Sequence, residues 1–362
     1  MSMMNLSRRA TLSGLAATLA MPHDVFAANQ PLITGAEAWQ SANFAPLNGK
    51  RIGLITNQTG RLGNEHLVDV LARSTNIKLV SILAPEHGFR GQAEAGVKVK
   101  DNKDPKTGLP VLSLYGQTRK PTPAMLKGLD ALVFDIQDVG VRSYTYISTM
   151  GLAMQAASEA RIPFVVLDRP NPLGGDYVSG YVLEPALKSF VGQYPIPIVH
   201  GMTVAELASM IKGERWLPGL DNLDLSVAKI EHWSRTMRWH ETRQTWIPTS
   251  PNVPTFASAL AYPGVGLVGE TLVNEGRGTP TPFQLFGAPW LDAKRAAAKL
   301  NSTRFYGALF SAETYTPRSI PNVAADPRFK DQTIPGVRLT STDVNTFHPL
   351  ESGIHALVEL HT

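Results

Sequence analysis

The feature that most constrains this chain is a rhythm in its first half, where short apolar runs alternate with segments of helical spacing. The first run, Arg-Ile-Gly-Leu-Ile-Thr-Asn (51–57), precedes a stretch from Asn64 to Ser74 with Leu67, Val70 and Leu71 on one helical face. The pattern then repeats. Ile77 to Leu83 reads as a strand, Met125 to Leu129 as the end of a helix, Ala131 to Ile136 as a buried strand, Thr149 to Ala160 as an alanine-rich helix, and Pro163 to Leu167 as a strand again. Runs that are apolar throughout, rather than alternating, suit strands buried on both faces, which occur where crossover helices cover a parallel sheet. The expected fold is therefore α/β, with a Rossmann-like parallel sheet.

Ligands of such sheets bind beyond the carboxyl ends of the strands, so the residues after each apolar run carry the interest. Here they are polar: Ala-Pro-Glu-His-Gly-Phe-Arg-Gly (84–91), Gln-Asp-Val-Gly-Val-Arg (137–142) and Asp-Arg-Pro-Asn-Pro-Leu-Gly-Gly (168–175). Beyond Tyr181 the chain becomes punctuated by proline, as in Tyr194-Pro-Ile-Pro, Ile247-Pro-Thr-Ser-Pro and Ala261-Tyr-Pro-Gly, while Thr203 with Glu206 marks a capped helix running through Ile211. This change of character predicts a Rossmann-like domain over 29–190 and a smaller α+β C-terminal domain over 191–362, with a cleft between them. Ahead of both, Arg8 and Arg9 precede an apolar stretch from Ala10 to Met21 and a small-residue site at Val25-Phe-Ala27. Residues 1–28 thus read as an export signal of the twin-arginine type, with a Sec signal as the alternative because Thr11 stands where a phenylalanine is common. The expected location is periplasmic or secreted, and no later segment is apolar for long enough to span a membrane.

Several classes of function fall away. The net charge of +4 comes from 34 basic and 30 acidic residues that are interspersed, so no nucleic-acid partner is expected. With no cysteine there is no thiol nucleophile and no thiolate metal site. The nine histidines form no HExxH pattern, and His232 and His240 flank an Arg- and Trp-rich stretch that reads as a surface or interface helix; no metal is expected. Gly264-Val-Gly-Leu-Val-Gly269 has the spacing of a dinucleotide fingerprint, but it lies late in the chain rather than at the first strand-to-helix turn, so no cofactor is expected. No Gly-x-Ser-x-Gly elbow is present either.

Carboxylate chemistry remains. Glu86 follows a predicted strand beside His87, with Gly88 and Gly91 for tight turns and Arg90 nearby; Glu275 lies in the glycine-bearing loop Asn-Glu-Gly-Arg-Gly-Thr (274–279). Two carboxyls brought together from different lobes suit glycosidic cleavage, in which one protonates the leaving oxygen while the other attacks the sugar or activates water. The bland reading pairs Glu86 with Arg90 and Glu275 with Arg277. Arg142, Arg169 and Arg277 are candidates to hold a substrate carboxylate, and Asp135, Asp138 and Asp168 to accept sugar hydroxyls or orient those arginines. His87, Arg90, Asn171, His200 and Asn252 complete the polar loop residues expected to bind substrate.

At these same segments the chain resembles the bacterial exo-β-N-acetylmuramidase family. The resemblance rests on Pro-Glu-His-Gly-Phe-Arg-Gly (85–91), Asp-Ile-Gln-Asp-Val-Gly-Val-Arg (135–142), Asp-Arg-Pro-Asn-Pro-Leu-Gly-Gly (168–175), His-Gly-Met-Thr (200–203), Ser-Pro-Asn-Val-Pro (250–254), Asn-Glu-Gly-Arg-Gly-Thr (274–279) and Gly-Ala-Pro-Trp (287–290). It implies a Rossmann-like domain joined to a smaller one, and release of N-acetylmuramic acid from the non-reducing end of peptidoglycan fragments, MurNAc-GlcNAc saccharides among them. By resemblance Glu86 falls on the glutamate favoured as catalytic and Glu275 on a second acidic position. The chain departs from the family where Glu-Gly-Thr-Asn is common, reading Gly-Glu-Thr-Leu (269–272), and has Ala205 where glycine is common. Two other classes compete: a periplasmic receptor that captures muropeptides or sugars without cleaving them, and an NAD-dependent enzyme. A receptor needs no proton-donating carboxyl, and an NAD enzyme must bind nucleotide in the crevice.

Overall fold

The computed structural model describes residues 30–91, 94, 96–303 and 307–361. The export signal read from residues 1–28 lies outside the described residues. The chain enters through helix α1 (Gly35–Ser41), whose first turn is closed by a reciprocal capping box between Thr34 and Glu37. It continues through β1 (Arg51–Thr56), the hairpin strands β2 (Arg61–Leu62) and β3 (Glu65–His66), α2 (Leu67–Ala72), β4 (Lys78–Ala84), β5 (Asn102–Lys103) and β6 (Pro110–Ser113). After α3 (Pro123–Leu126) come β7 (Ala131–Asp135), α4 (Tyr146–Ala160), β8 (Phe164–Leu167), α5 (Val204–Gly213) and β9 (Leu225–Ala228).

Seven of these strands form one sheet in the order β5-β6-β4-β1-β7-β8-β9. Every pairing is parallel except that of the short edge strand β5 with β6. The order reverses between β1 and β7, which is the switch point at which doubly wound sheets open a crevice. Side chains alternate as a pleated strand demands: Leu132 and Phe134 of β7 enter the core beneath α4, whereas Ala131 and Val133 enter the core on the opposite face. The sheet takes its last strand, β9, from residues beyond the 190/191 division.

Most of the expected elements are present, with shifts that have local causes. The helix expected over 64–74 is confined to Leu67–Ala72 because residues 61–66 pair as a hairpin, after which His66 Nδ1 accepts the backbone N–H of Val68 and caps α2. Helix α4 begins at Tyr146 rather than Thr149. In α5 both halves of the capping box between Thr203 and Glu206 are made. The Arg- and Trp-rich stretch is not the helix expected between His232 and His240. It is irregular as far as Arg238, which pairs with Asp176 at 2.6 Å, and ends in a single 3-10 turn (Trp239–Thr242) whose Trp239 packs edge-on against Trp246, so loop packing rather than the face of a long helix buries these side chains.

The smaller part comprises α6 (Phe256–Gly269), β10 (Leu285–Gly287), α7 (Ala293–Ser302), β11 (Ala308–Tyr315), β12 (Ile334–Ser341) and α8 (Pro349–His361), with an antiparallel sheet ordered β10-β12-β11. The Ala261-Tyr-Pro-Gly segment, expected as an irregular punctuated stretch, lies within α6, which accommodates Pro263. The fingerprint-like glycines lie in this helix too, not at a strand-to-helix turn. Gly264 is where α8 crosses α6: a Cβ there would stand 2.0 Å from the carbonyl oxygen of Pro349. One apolar core runs from Phe134 and Phe164 of the large sheet to Phe283, Phe286 and Leu350 of the smaller part. Among the described residues no helix is long and apolar enough to cross a membrane.

Candidate active site

The end of β4 sets the site. Directly after Pro85 and Glu86, His87 and Gly88 both adopt left-handed backbone conformations, with φ of 68° and 75°. This turns the chain sharply and leaves the Glu86 side chain against the sheet edge. Glu86 is only 8% exposed. Its carboxylate accepts hydrogen bonds from the backbone N–H of Gly96 at 2.9 Å and from the Thr145 hydroxyl at 2.6 Å. Among the described residues it makes no ion pair with a cation. Tyr115 adjoins it; burial, then the Glu86 charge and a hydrogen bond to it, push the Tyr115 hydroxyl above its ordinary value.

Glu86 opens onto a cavity of about 170 Å³ whose walls come from both parts of the molecule. Glu86, His87 and Ser143 to Tyr146 line it from the large sheet, Ser250, Asn252 and Val253 from the connecting segment, and Tyr262, Arg277 and Phe283 from the smaller part. The aromatic rings form a chain of edge-to-face contacts: Tyr146 to Tyr144 at 5.1 Å, Tyr144 to Tyr262 at 5.8 Å, and Tyr262 to Phe283 at 4.9 Å. Thr249 fixes the first two, its hydroxyl accepting from Tyr144 at 2.7 Å and its carbonyl from Tyr146 at 2.5 Å. Burial raises the hydroxyls of Tyr144, Tyr146 and Tyr262 above the ordinary phenol value, so they remain protonated donors. Arg277 extends over Phe283 and is held from behind by Glu275, whose carboxylate accepts from its Nε.

Residues 52–257 match the family described as Exo-beta-N-acetylmuramidase NamZ, N-terminal, and residues 260–362 match its C-terminal counterpart. The chain belongs to the exo-β-N-acetylmuramidase NamZ family. It is 46% identical over 316 residues to the peptidoglycan beta-N-acetylmuramidase NamZ of Bacillus subtilis (strain 168), an alignment that covers 87% of this chain and 74% of that one. It is also similar to crystal structures of two DUF1343 family proteins from Bacteroides fragilis NCTC 9343. The first has a TM-score of 0.83 and 42% identity, covering 91% of this chain and 82% of that one. The second has a TM-score of 0.71 and 36% identity, covering 92% of each.

In this NamZ family member, Glu86, His87, Asn252 and Arg277 are the sequence candidates that meet in the cavity. Asn252 donates to the carbonyl of Val323 at 2.6 Å. Glu275 is absent from the cavity wall and touches it only through Arg277. The others are placed elsewhere. Arg90 pairs with Asp104 at 2.6 Å and lies over Phe89. The Arg142 guanidinium is tied to the carbonyls of Tyr181 and Ile196 at 2.7 and 2.6 Å. Asp135 and Arg169 form a buried bidentate pair at 2.6 and 3.0 Å. Asn171 braces its own loop, accepting from Leu173 and donating to Met202.

Three further candidates are buried groups whose ionisation is shifted. Asp168 accepts from Thr203, from the N–H of Ala205 and from that of Arg169, and burial pushes its carboxyl up to about 7. Asp138 Oδ1 accepts from Gly140 N–H at 2.7 Å while Oδ2 has no partner, and burial likewise raises it to about 7. His200 Nδ1 accepts from Met202 N–H, and burial lowers its pKa to about 4, keeping the ring neutral. Sequence reasoning missed Thr145, Tyr144, Tyr146, Tyr262 and Phe283. The only signal was position: Ser-Tyr-Thr-Tyr (143–146) follows directly on the polar strand-end motif.

Proposed function

We propose that this chain hydrolyses the terminal N-acetylmuramic acid linkage of peptidoglycan fragments, with Glu86 as the proton donor to the leaving glycosidic oxygen. The observation that carries this reading is a buried carboxyl that, among the described residues, is held by neutral donors without an ion pair and shares one cavity with an arginine. General-acid catalysis needs a carboxyl placed at the leaving oxygen, and Glu86 is the carboxyl that lines the cavity. Thr145 and Gly96 fix its direction. Tyr262, whose hydroxyl meets that of Ser143 at 3.3 Å, is placed to donate to a sugar oxygen, whereas Tyr144 and Tyr146 spend their hydroxyl protons on Thr249 and contribute ring edges as apolar surface for a pyranose.

Arg277 accounts for the choice of sugar. N-acetylmuramic acid differs from N-acetylglucosamine by a lactyl ether that ends in a carboxylate, and a guanidinium is the group best shaped to hold it. Glu275 occupies the Arg277 Nε and leaves the terminal nitrogens for substrate, so its part is to position Arg277. With no second carboxyl on the cavity wall among the described residues, we assign attack at the anomeric carbon to the substrate's own acetamido oxygen. The substrates are MurNAc-GlcNAc saccharides, and residues 1–28 direct export to the periplasm or beyond by the twin-arginine route.

The test compares release of nitrophenol from a β-N-acetylmuramide and from the matching β-N-acetylglucosaminide, using the mature protein and its Glu86→Gln variant. Cleavage of the muramide alone, with kcat reduced by about 10²–10⁴ in the variant and an unchanged thermal midpoint, is expected. Binding of the muramide without cleavage would return the chain to a receptor role.

A further inference from the structure

The crevice at the strand-order reversal is a different place from the Glu86 cavity, and the proposed reaction makes no use of it. It encloses about 220 Å³. Thr59 reaches it from the end of β1, Gln137 from the end of β7, and Arg169 from the end of β8. These are the three strand ends at which doubly wound sheets bind their ligands. Trp239 forms part of the wall, and Arg61 and Arg243 add two more guanidiniums.

Charge and hydrogen bonding together indicate what would bind there. Among the described residues no carboxylate lines the crevice. Asp135 is committed to clamping Arg169, and Glu37 to closing the Thr34 cap of α1. Among the described residues neither Arg61 nor Arg243 makes an ion pair, so two positive charges stand without a protein counterion. The Gln137 amide nitrogen donates to the carbonyls of Asp138 and Pro170, both at 2.8 Å, which fixes which end of the amide is oxygen. That oxygen is a buried acceptor with no hydrogen bond of its own. An unmet buried acceptor is costly, and this one belongs to a residue that lines the crevice.

From this geometry we infer a second ligand site that takes an anionic sugar, with its carboxylate or phosphate between Arg61 and Arg243 and a hydroxyl toward Gln137. The site stands apart from the first cavity but shares a wall with it. Gln58 donates to the carbonyls of Pro248 and Thr249 at 2.7 and 3.2 Å, fastening a strap whose Ile247 faces the crevice and whose Ser250 faces the Glu86 cavity.

Calorimetric titration of the mature protein with glucuronate, with glucose 6-phosphate and with neutral glucose tests the inference, and it does not depend on the muramidase reading. At least one of the two anions should saturate the protein while glucose does not, and their ranking separates a carboxylate from a phosphate preference. The Arg61→Gln/Arg243→Gln double variant should lose at least tenfold in affinity, whereas Arg277→Gln, on the first cavity, should bind as the parent does. Because Arg61 and Arg243 make no ion pairs, the double variant should keep its thermal midpoint; Arg243→Lys, which retains the charge, should retain most of the binding. Failure of both anions to bind at millimolar concentration, binding that survives the double variant, or binding that disappears with Arg277→Gln would each overturn it.

Discussion

Two neighbouring regions of the large sheet each present a carboxylate at a strand end, and the protein treats them in opposite ways. Glu86, just past β4, is held by a threonine hydroxyl and one backbone N–H. Asp135, the last residue of β7, is clamped by both arms of Arg169 with no exposure to solvent. A carboxylate locked to a guanidinium serves the fold; one held by a hydroxyl and a backbone N–H is left facing a cavity. The difference shows that polarity at a strand end identifies the rim of a Rossmann-like sheet without saying which of its acids is available.

The sharpest way to break this comparison is to remove the clamped acid. Asp135→Ala leaves Arg169 charged and buried with the Arg61 carbonyl but no carboxylate against it, which should cost about 3–5 kcal/mol of stability in urea denaturation. Glu86→Gln, by contrast, keeps an acceptor for Thr145 and should change stability by about 1 kcal/mol or less. Equal costs at the two positions would end the distinction.

A third acid of the same rim sharpens it through pH. Asp138 is buried with one oxygen unpartnered and its pKa raised to about 7. Between the unfolded value near 4 and this folded value, the native state holds a proton that the unfolded chain has lost. Stability therefore falls as pH rises through that window, by up to about 1.4 kcal/mol per unit. Asp138→Asn carries no such proton, so its stability measured from about pH 4 to pH 7 should be flatter than that of the parent by this slope.

Smaller effects concern the Glu86 cavity alone. Arg277→Gln should raise KM for the muramide by roughly tenfold, the worth of one charge-assisted contact, and leave any residual action on the glucosaminide unchanged. A parallel loss on both sugars would make Arg277 structural. Thr145→Val removes one hydrogen bond to Glu86 and should lower kcat by about threefold to tenfold with little change in KM. Its pH–rate profile should shift with the change in the carboxyl's surroundings, which a purely structural role would not produce.

Much of the large sheet was legible because buried parallel strands announce themselves as unbroken apolar runs. β9 was not. Leu-Ser-Val-Ala (225–228) is short and mixed, and as an edge strand its first three residues are only partly buried, so the break in texture near Tyr181 masked its membership of the sheet. The C-terminal helix α6 was obscured by Pro263, a residue that ordinarily argues against a helix interior. At the site, Glu86 and Arg277 could be picked out because ionisable groups beside glycines are conspicuous. Arg142 and Arg169 were equally conspicuous, yet their guanidiniums are consumed by carbonyls and by Asp135, and no sequence pattern reports where a long side chain ends. The aromatic wall escaped notice for the opposite reason: a tyrosine in a sequence looks the same whether it packs a core or lines a cavity.

The ring contacts from Tyr146 through Tyr144 and Tyr262 to Phe283 cross the junction between the two family halves near residues 257–260. In hereditary terms this makes the halves a single unit. A gene that exchanged its C-terminal part for a distant relative's would import rings shaped to other partners, and one that lost it would leave the acid on an open wall. Substitutions at Tyr144 and Tyr262 should therefore be coupled, each tolerated best when the facing ring changes to match it.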